Sequence, residues 1–350
     1  MTKPALILVT PGFPKDEQDT ACLPAFQQFA LSVKTQFPKY KLIILAFQYP
    51  FEARSYQWKG MDVIALGGKN RNKLFRVFTW MAARRALQEI CRSHKVVGLI
   101  SLWMTECAFV ANRFAKKHQL KHVIWIIGQD AKAGNPYVTR TKPQASQLIA
   151  MSDFLKEEFH KNYGIEPVHV MENGINADTF PVLNAGERAI DVFGAGSLIP
   201  LKNYRLFIEL IAELKQEYPQ IRAQIAGGGE EQEKLKSLIQ ALGLETDITL
   251  TGPQSHAETL LLMNQSKVFL HTSHYEGNST VLMEALYSGC RVLSTCALSH
   301  KKTENLFVST DRAALRQELA TMLQHKQHSV SRVIFHTMDD TARRMVALFQ

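Results

Sequence analysis

Long apolar runs are missing from this 350-residue sequence. The longest, Val96 to Ser101 and His122 to Gly128, fall far short of the ~20 residues that a membrane-spanning helix needs, so no span is expected. The opening stretch from Ala5 to Thr10 is too short, and too soon followed by Pro11-Gly12, to serve as a secretory leader; the mature chain is expected to begin there. Cysteine is scarce as well. Five residues (Cys22, Cys91, Cys107, Cys290 and Cys296) form no close-spaced ligand pair, and their odd number argues against a disulfide framework, which points to a reducing cytoplasm. Charged residues make up only 21% against 46% hydrophobic ones, which excludes a disordered chain, and 19 glycines with 13 prolines exclude a collagen-like one. Acidic residues are short in one half alone. Residues 1–180 hold 24 Lys+Arg against 14 Asp+Glu, whereas the remainder is close to balance at 17 against 18. Such asymmetry points to an anionic partner of the first half.

What is present is an alternation of short β-rich runs with helical spacing, the pattern of parallel βαβ units. Strands are expected near Ala5–Val9, Lys41–Ala46, Met61–Ala65, Val97–Ser101, His122–Ile127, Leu148–Ala150 and Val168–Met171. In the second half they are expected near Ile190–Ala195, Arg222–Ile225, Ile248–Thr251, Val268–His271, Arg291–Ser294 and Leu306–Val308. The length suits two domains, and the element order makes each a doubly wound α/β sheet. Pro, Asn and Gly between Phe180 and Arg188 mark the boundary, giving domains 1–180 and 181–333. Residues 334–350 form a terminal helix with an acidic start at Asp339-Asp340.

Ser273 to Thr295 is the most specific stretch. It reads as a strand end, a polar loop, a helix entered at about Asn278–Ser279, and another strand after Gly289. Amides of Gly277, Asn278, Ser279 and Thr280 would then leave a helix N-terminus, a ready site for a diphosphate. Glu276 before the helix and Glu284 within it lie a little over two turns apart, so two carboxylates can serve two sugars of one ligand. The plainer alternative is a loop that only caps its helix. Neighbouring turns add weight: Lys202 just before an amphipathic helix, and Gly227-Gly228-Gly229, both at carboxyl ends of expected strands, where open α/β sheets bind ligands.

In this order the motifs resemble a GT-B glycosyltransferase of family 4, the retaining group that uses nucleotide sugars. The resemblance is carried by Gly196 to Asn203, Ile225 to Leu244, and the E-x7-E element Glu276 to Glu284; it continues more weakly through Ser152 to Phe180 and the "TPGFP" opening. It implies two Rossmann-like domains facing a central cleft, with the terminal helix crossing back to the first. It also implies that Glu276 faces the donor sugar, Glu284 the ribose and Lys202 the diphosphate, joined by Ser197 and the amides of Gly277 to Thr280. From the first domain, Gly12 would lie near the donor phosphates and Asp130 near the sugar or acceptor. Glu276, Lys202 and Asp130 are thus the expected catalytic residues. Two positions depart from the family pattern. Ser197 stands where "G-R-L" would place an arginine, and Ile127 begins what the family writes "H-G-x-D", so a sugar-contacting histidine is replaced.

The implied activity is transfer of a sugar from a UDP- or GDP-linked donor to a glycan or lipid-linked acceptor, in cell-surface polysaccharide or glycolipid synthesis. No D-x-D pair marks the site, so no cofactor and no divalent metal is required. A catalytically silent nucleotide-sugar-binding protein and a dinucleotide-dependent oxidoreductase are the alternatives; the latter lacks G-x-G-x-x-G in either half. Nucleic acid is not expected, because no binding motif accompanies the basic half. Lys69 to Arg85 interleaves Phe75, Phe78, Trp80 and Met81 with six basic residues. Its plainer reading is a core helix with a solvated basic edge; the sharper one is a membrane-surface helix that would hold the enzyme at the inner face of the cytoplasmic membrane. His271 and His274 lie close to Glu276 and could reach a ligand, although isolated loop histidines are more often packed or solvated.

Overall fold

A computed structural model describes residues 3–71, 73–183, 186, 188–298, 303–325 and 331–350, the side chains of Lys73 and Leu74 excepted. Part of the expected boundary between Phe180 and Arg188 lies outside these described residues. The chain forms two compact units, Met1–Gly174 with His336–Gln350, and Ile175–Phe335. The first passage therefore comes a few residues before the expected 180/181.

The first unit runs β1 (Ala5–Gly12), α1 (Pro24–Gln36), β2 (Lys41–Tyr49), β3 (Ala53–Trp58), β4 (Met61–Leu66), α2 (Lys73–Ser93), β5 (Val96–Leu102) and α3 (Glu106–His118). It continues through β6 (Lys121–Ile126), α4 (Pro136–Thr141), β7 (Leu148–Ala150), α5 (Asp153–Tyr163) and β8 (His169–Val170). Its sheet has the order β3-β4-β2-β1-β5-β6-β7-β8, parallel except for β3. Central strands covered on both faces need continuous apolar sequence, and Ala5 to Val9 are all fully buried. β3 was not foreseen from the sequence. It is a largely exposed edge strand joined to β4 by a two-residue turn in which Lys59 and Gly60 both have positive φ, the geometry that matches strand twist in a hairpin.

The second unit runs β9 (Ile190–Ala195), α6 (Tyr204–Leu214), β10 (Ala223–Ala226), α7 (Gln232–Ala241), β11 (Ile248–Gly252) and α8 (His256–Asn264). β12 (Ser266–His271), α9 (Thr280–Tyr287), β13 (Arg291–Ser294), β14 (Leu306–Val308) and α10 (Arg312–Gln324) follow. Here the sheet is wholly parallel, in the order β11-β10-β9-β12-β13-β14. Helix α6 shows how pattern becomes packing: Tyr204, Phe207, Ile208, Ile211 and Leu214 recur on one face and are buried together against the sheet. The chain enters β9 past buried Arg188, whose guanidinium donates to the carbonyls of Ser266 at 2.6 Å and Ser288 at 2.8 Å. Those bonds tie the start of β9 to the elements that carry the site.

The last helix, α11 (Met338–Ala347), starts at Thr337, whose hydroxyl accepts from the Asp340 amide, and it lies against α1 of the first unit. Ser32 on α1 donates to Asp339 at 2.7 Å. Gly174 and Gly98 admit this segment, since a Cβ at either would collide with Thr337 or with the Phe349 ring.

Candidate active site

In the second unit the carboxyl ends of β9, β10, β12 and β13 stand level, with Ala195 paired to Ala226 and His271 to Ser294. The loops that leave this edge are laced together. The Leu198 amide donates to the Gly228 carbonyl at 2.9 Å and the Glu231 amide to the Leu198 carbonyl at 3.0 Å. Gly227, at φ +150°, sits where a Cβ would be 1.9 Å from the Gly196 carbonyl oxygen, so this triple-glycine turn exists to let two loops meet. On the other side the Thr272 hydroxyl donates to the Lys202 carbonyl at 2.9 Å, and the His274 amide to that of Leu201 at 2.9 Å. The segment bearing Lys202 is thereby fastened to the loop bearing Glu276.

Lys202 ends a short 3-10 turn before α6, and its stem passes Gly196, where a Cβ would lie 3.6 Å from Lys202 Cε. Its ammonium donates to Glu276 Oε1 at 2.5 Å, and His271 Nε2 lies 3.2 Å from the same oxygen. Burial by itself would raise the Glu276 carboxyl, but the hydrogen bond from His271 and then the Lys202 charge outweigh it and hold the group at about 2. Burial pushes His271 below the ordinary histidine value, and the Lys202 charge adds to this against the pull of Glu276. Facing an ionised carboxylate, His271 Nε2 carries the hydrogen and donates to Glu276.

Helix α9 begins at Thr280 behind Ser279, whose side chain makes no capping bond. Its early amides, among them those of the expected Gly277 to Thr280 set, lie on the loop that Glu276 opens. Asn278 and Ser279 are buried, while Ser197, two residues past β9, is exposed. Glu284 is buried within α9 and its Oε1 lies 2.7 Å from His256 Nε2. Burial would lower His256, yet the hydrogen bond and charge of Glu284 prevail and raise it. Each carboxylate of the E-x7-E element is thus matched with a histidine. His256 was missed from the sequence, because 28 residues separate it from Glu284 and its only local signal is the Ser255–Glu258 capping box just around it.

The expected residues of the first unit fare differently. Gly12 ends β1 at a register shift against Tyr49, and a Cβ there would make ordinary contact with Tyr49. Asp130 is buried with both oxygens on backbone amides: Oδ1 accepts from Gly128 at 2.8 Å and Ile127 at 3.2 Å, and Oδ2 from Met104 at 2.8 Å. Burial raises its carboxyl while those amides resist. Asp130 thereby joins the loops that follow β5 and β6. Among the described residues no three His, Cys, Asp or Glu side chains converge in a way that could hold a metal ion. All five cysteines are free thiols.

Helix α2 packs one face in the core and has a solvated basic edge, as in the plainer reading of its sequence, but it also leaves apolar side chains in solvent. Thr79, Ala83, Leu87 and Ile90 face the core, whereas Phe75, Phe78 and Met81 are 54%, 64% and 41% exposed, beside exposed Arg84 and Arg85. Among the described residues no helix is long and apolar enough to cross a membrane.

Residues 176–329, nearly all of the second unit, match the family model described as glycosyl transferases group 1. The chain is 21% identical over 345 residues to the putative colanic acid biosynthesis glycosyltransferase WcaL of Salmonella typhimurium, covering 91% of this chain and 84% of that one. It is 27% identical over 187 residues to the N-acetylgalactosamine-N,N'-diacetylbacillosaminyl-diphospho-undecaprenol 4-alpha-N-acetylgalactosaminyltransferase of Campylobacter jejuni. That match takes in 51% of this chain and spans about half, 48%, of the Campylobacter enzyme. Among solved structures, Anabaena HepE in complex with UDP and glucose superposes with a TM-score of 0.70 at 17% identity, over 99% of this chain and 95% of that one. The matched segment makes the second unit similar to the glycosyl transferases group 1, and the chain shares the GT-B fold of the solved glycosyltransferases.

Proposed function

We propose that this enzyme moves a sugar from a UDP-linked donor to a glycan or lipid-linked acceptor in cell-surface polysaccharide or glycolipid synthesis, with retention of anomeric configuration. One observation carries the reading: an ionised Glu276, the Lys202 ammonium and the start of α9 meet at the carboxyl edge of one parallel sheet. Departure of the diphosphate builds negative charge on the leaving oxygen. Lys202 and the α9 amides stabilise it in place, with no proton moved and no metal invoked, while Glu276 orients the sugar hydroxyls and Glu284 the ribose. UDP is favoured over GDP because HepE, of the same fold, holds UDP. A thermal-shift panel of UDP, GDP, ADP and CMP tests the donor reading. UDP near a hundredfold excess over its Kd should stabilise the protein by about 2.7 kcal/mol, a rise of a few degrees; no shift with any of the four would overturn it. Transfer from the matching nucleotide sugar then separates an enzyme from a silent binder.

The acceptor side belongs to the basic first unit. We infer that the exposed Phe75, Phe78 and Met81, with Arg84 and Arg85, rest on an anionic membrane and bring the enzyme to lipid-linked acceptors at its cytoplasmic face. Each arginine near such a surface is worth about 1 kcal/mol, so replacing Arg84 and Arg85 together with glutamine should weaken vesicle binding about thirtyfold at low salt. Co-sedimentation with phosphatidylglycerol vesicles is the check. Wild-type protein left in the supernatant would end the membrane reading.

A further inference from the structure

We propose that His271 is a positioning residue that keeps Glu276 in place when Lys202 turns from it to the donor diphosphate, so that nucleotide binding does not leave a buried carboxylate without a partner. The idea rests on the donor-site reading above. Glu276 Oε1 receives two groups at once, Lys202 Nζ at 2.5 Å and His271 Nε2 at 3.2 Å. Lys202 therefore has two claimants, since the same ammonium is the cation expected to meet the diphosphate. Moving it costs little only if the carboxylate keeps another donor, because a buried charge stripped of its hydrogen bond is expensive.

His271 is built for that task. It closes β12, is 5% exposed, and each ring nitrogen has a fixed neighbour: Nδ1 lies 3.0 Å from Ser294 Oγ on β13, and Nε2 lies 3.0 Å from Ser273 Oγ. Ser294 is itself held by the amide of Cys296 at 3.0 Å and by its own bond to the Cys296 carbonyl at 2.7 Å. The ring is thus fixed by its own strand and the next, and neither tie depends on Lys202. A carboxylate only accepts, so the nitrogen facing Glu276 must carry the hydrogen. The charged groups facing the ring are Glu276 and Lys202, and the Cys296 thiol lies beyond Ser273, donating to its carbonyl.

The test is a double-mutant cycle read by calorimetric titration of the full-length protein with UDP, GDP and ADP. His271→Asn, too short to reach Glu276, should weaken binding of the preferred nucleoside diphosphate about tenfold. In a Glu276→Gln background the same change should cost less than about twofold, because no charge remains to be stranded. His271→Gln, whose amide nitrogen can occupy the position of Nε2, should recover most of the loss. This variant also decides the matter should His271→Asn fail to fold. Equal binding by wild type and His271→Asn would overturn the proposal, and so would a loss of the same size in both backgrounds, which would make His271 merely structural. If the wild type binds none of the three nucleotides, the donor-site reading falls and takes this proposal with it; binding by the wild type without coupling defeats the proposal alone.

Discussion

Replacing Glu276 with glutamine is expected to lower kcat by about 10² to 10³ while leaving the fold intact, the scale seen when one preorganised electrostatic partner is removed from a reacting centre. The two halves of the ligand should respond in opposite directions. Glu276 holds the Lys202 ammonium at 2.5 Å in the free enzyme, so neutralising it releases Lys202, and bare UDP should bind as well as to wild type or more tightly. A general loss of structure would weaken both. The carboxyl is held at about 2, far below the working range, so Glu276 stays ionised from pH 5 to pH 8 and gives the rate profile no acid limb there. Linkage has a definite sign. A folded-state value below the ordinary 4.5 contributes stability present above pH 4.5, and lost as pH falls through about 2. Denaturant titrations at pH 5 and pH 3 should show that loss in wild type and a smaller one in Glu276→Gln. Unchanged turnover by the variant would remove Glu276 from the reaction.

The parallel strands were legible in the sequence because a strand buried on both faces has no polar positions to spare, as Ala5 to Val9 and Val268 to Leu270 illustrate. β3 was not. Its edge position leaves Ala53 to Gln57 largely in solvent, so it carries neither continuous apolar sequence nor clean alternation, and only its Lys59-Gly60 turn marks it. Glu276, Lys202 and the start of α9 were legible because glycine, asparagine and serine after a strand announce where a helix begins. The partners of those groups were not, since His256 and Glu284, or Lys202 and Glu276, meet only through sheet order. Asp130 shows the same limit from the other direction: the sequence places a carboxylate at the end of β6, but whether it faces a ligand or three amides is decided by how two loops fold around it. Helix α2 has apolar residues on two faces, and periodicity alone does not say which of them meets the core.

Lys202→Ala should be costly in both binding and chemistry. In the proposed donor site the charge it removes would face an oxygen that becomes more negative as the glycosyl bond breaks, so the loss would grow along the reaction coordinate; removal of one such group is worth about 2.7–4 kcal/mol, or roughly 10²–10³ in kcat. UDP affinity should fall as well, by about tenfold, because the diphosphate is charged before reaction too. Ser197, which stands where the resemblance implies an arginine, is exposed and uncharged, so no cation at that position softens the change. Lys202→Arg distinguishes charge from shape. Its planar, delocalised fork presents the charge differently from a compact ammonium, and an intermediate loss is expected, with UDP binding restored more fully than turnover. Glu276 keeps its His271 contact in either variant, so the thermal midpoint should move little. Titration with UDP and single-turnover transfer on the three proteins supply the comparison. If Lys202→Ala binds UDP as wild type does and turns over within threefold of it, the leaving charge must be carried by the α9 amides alone.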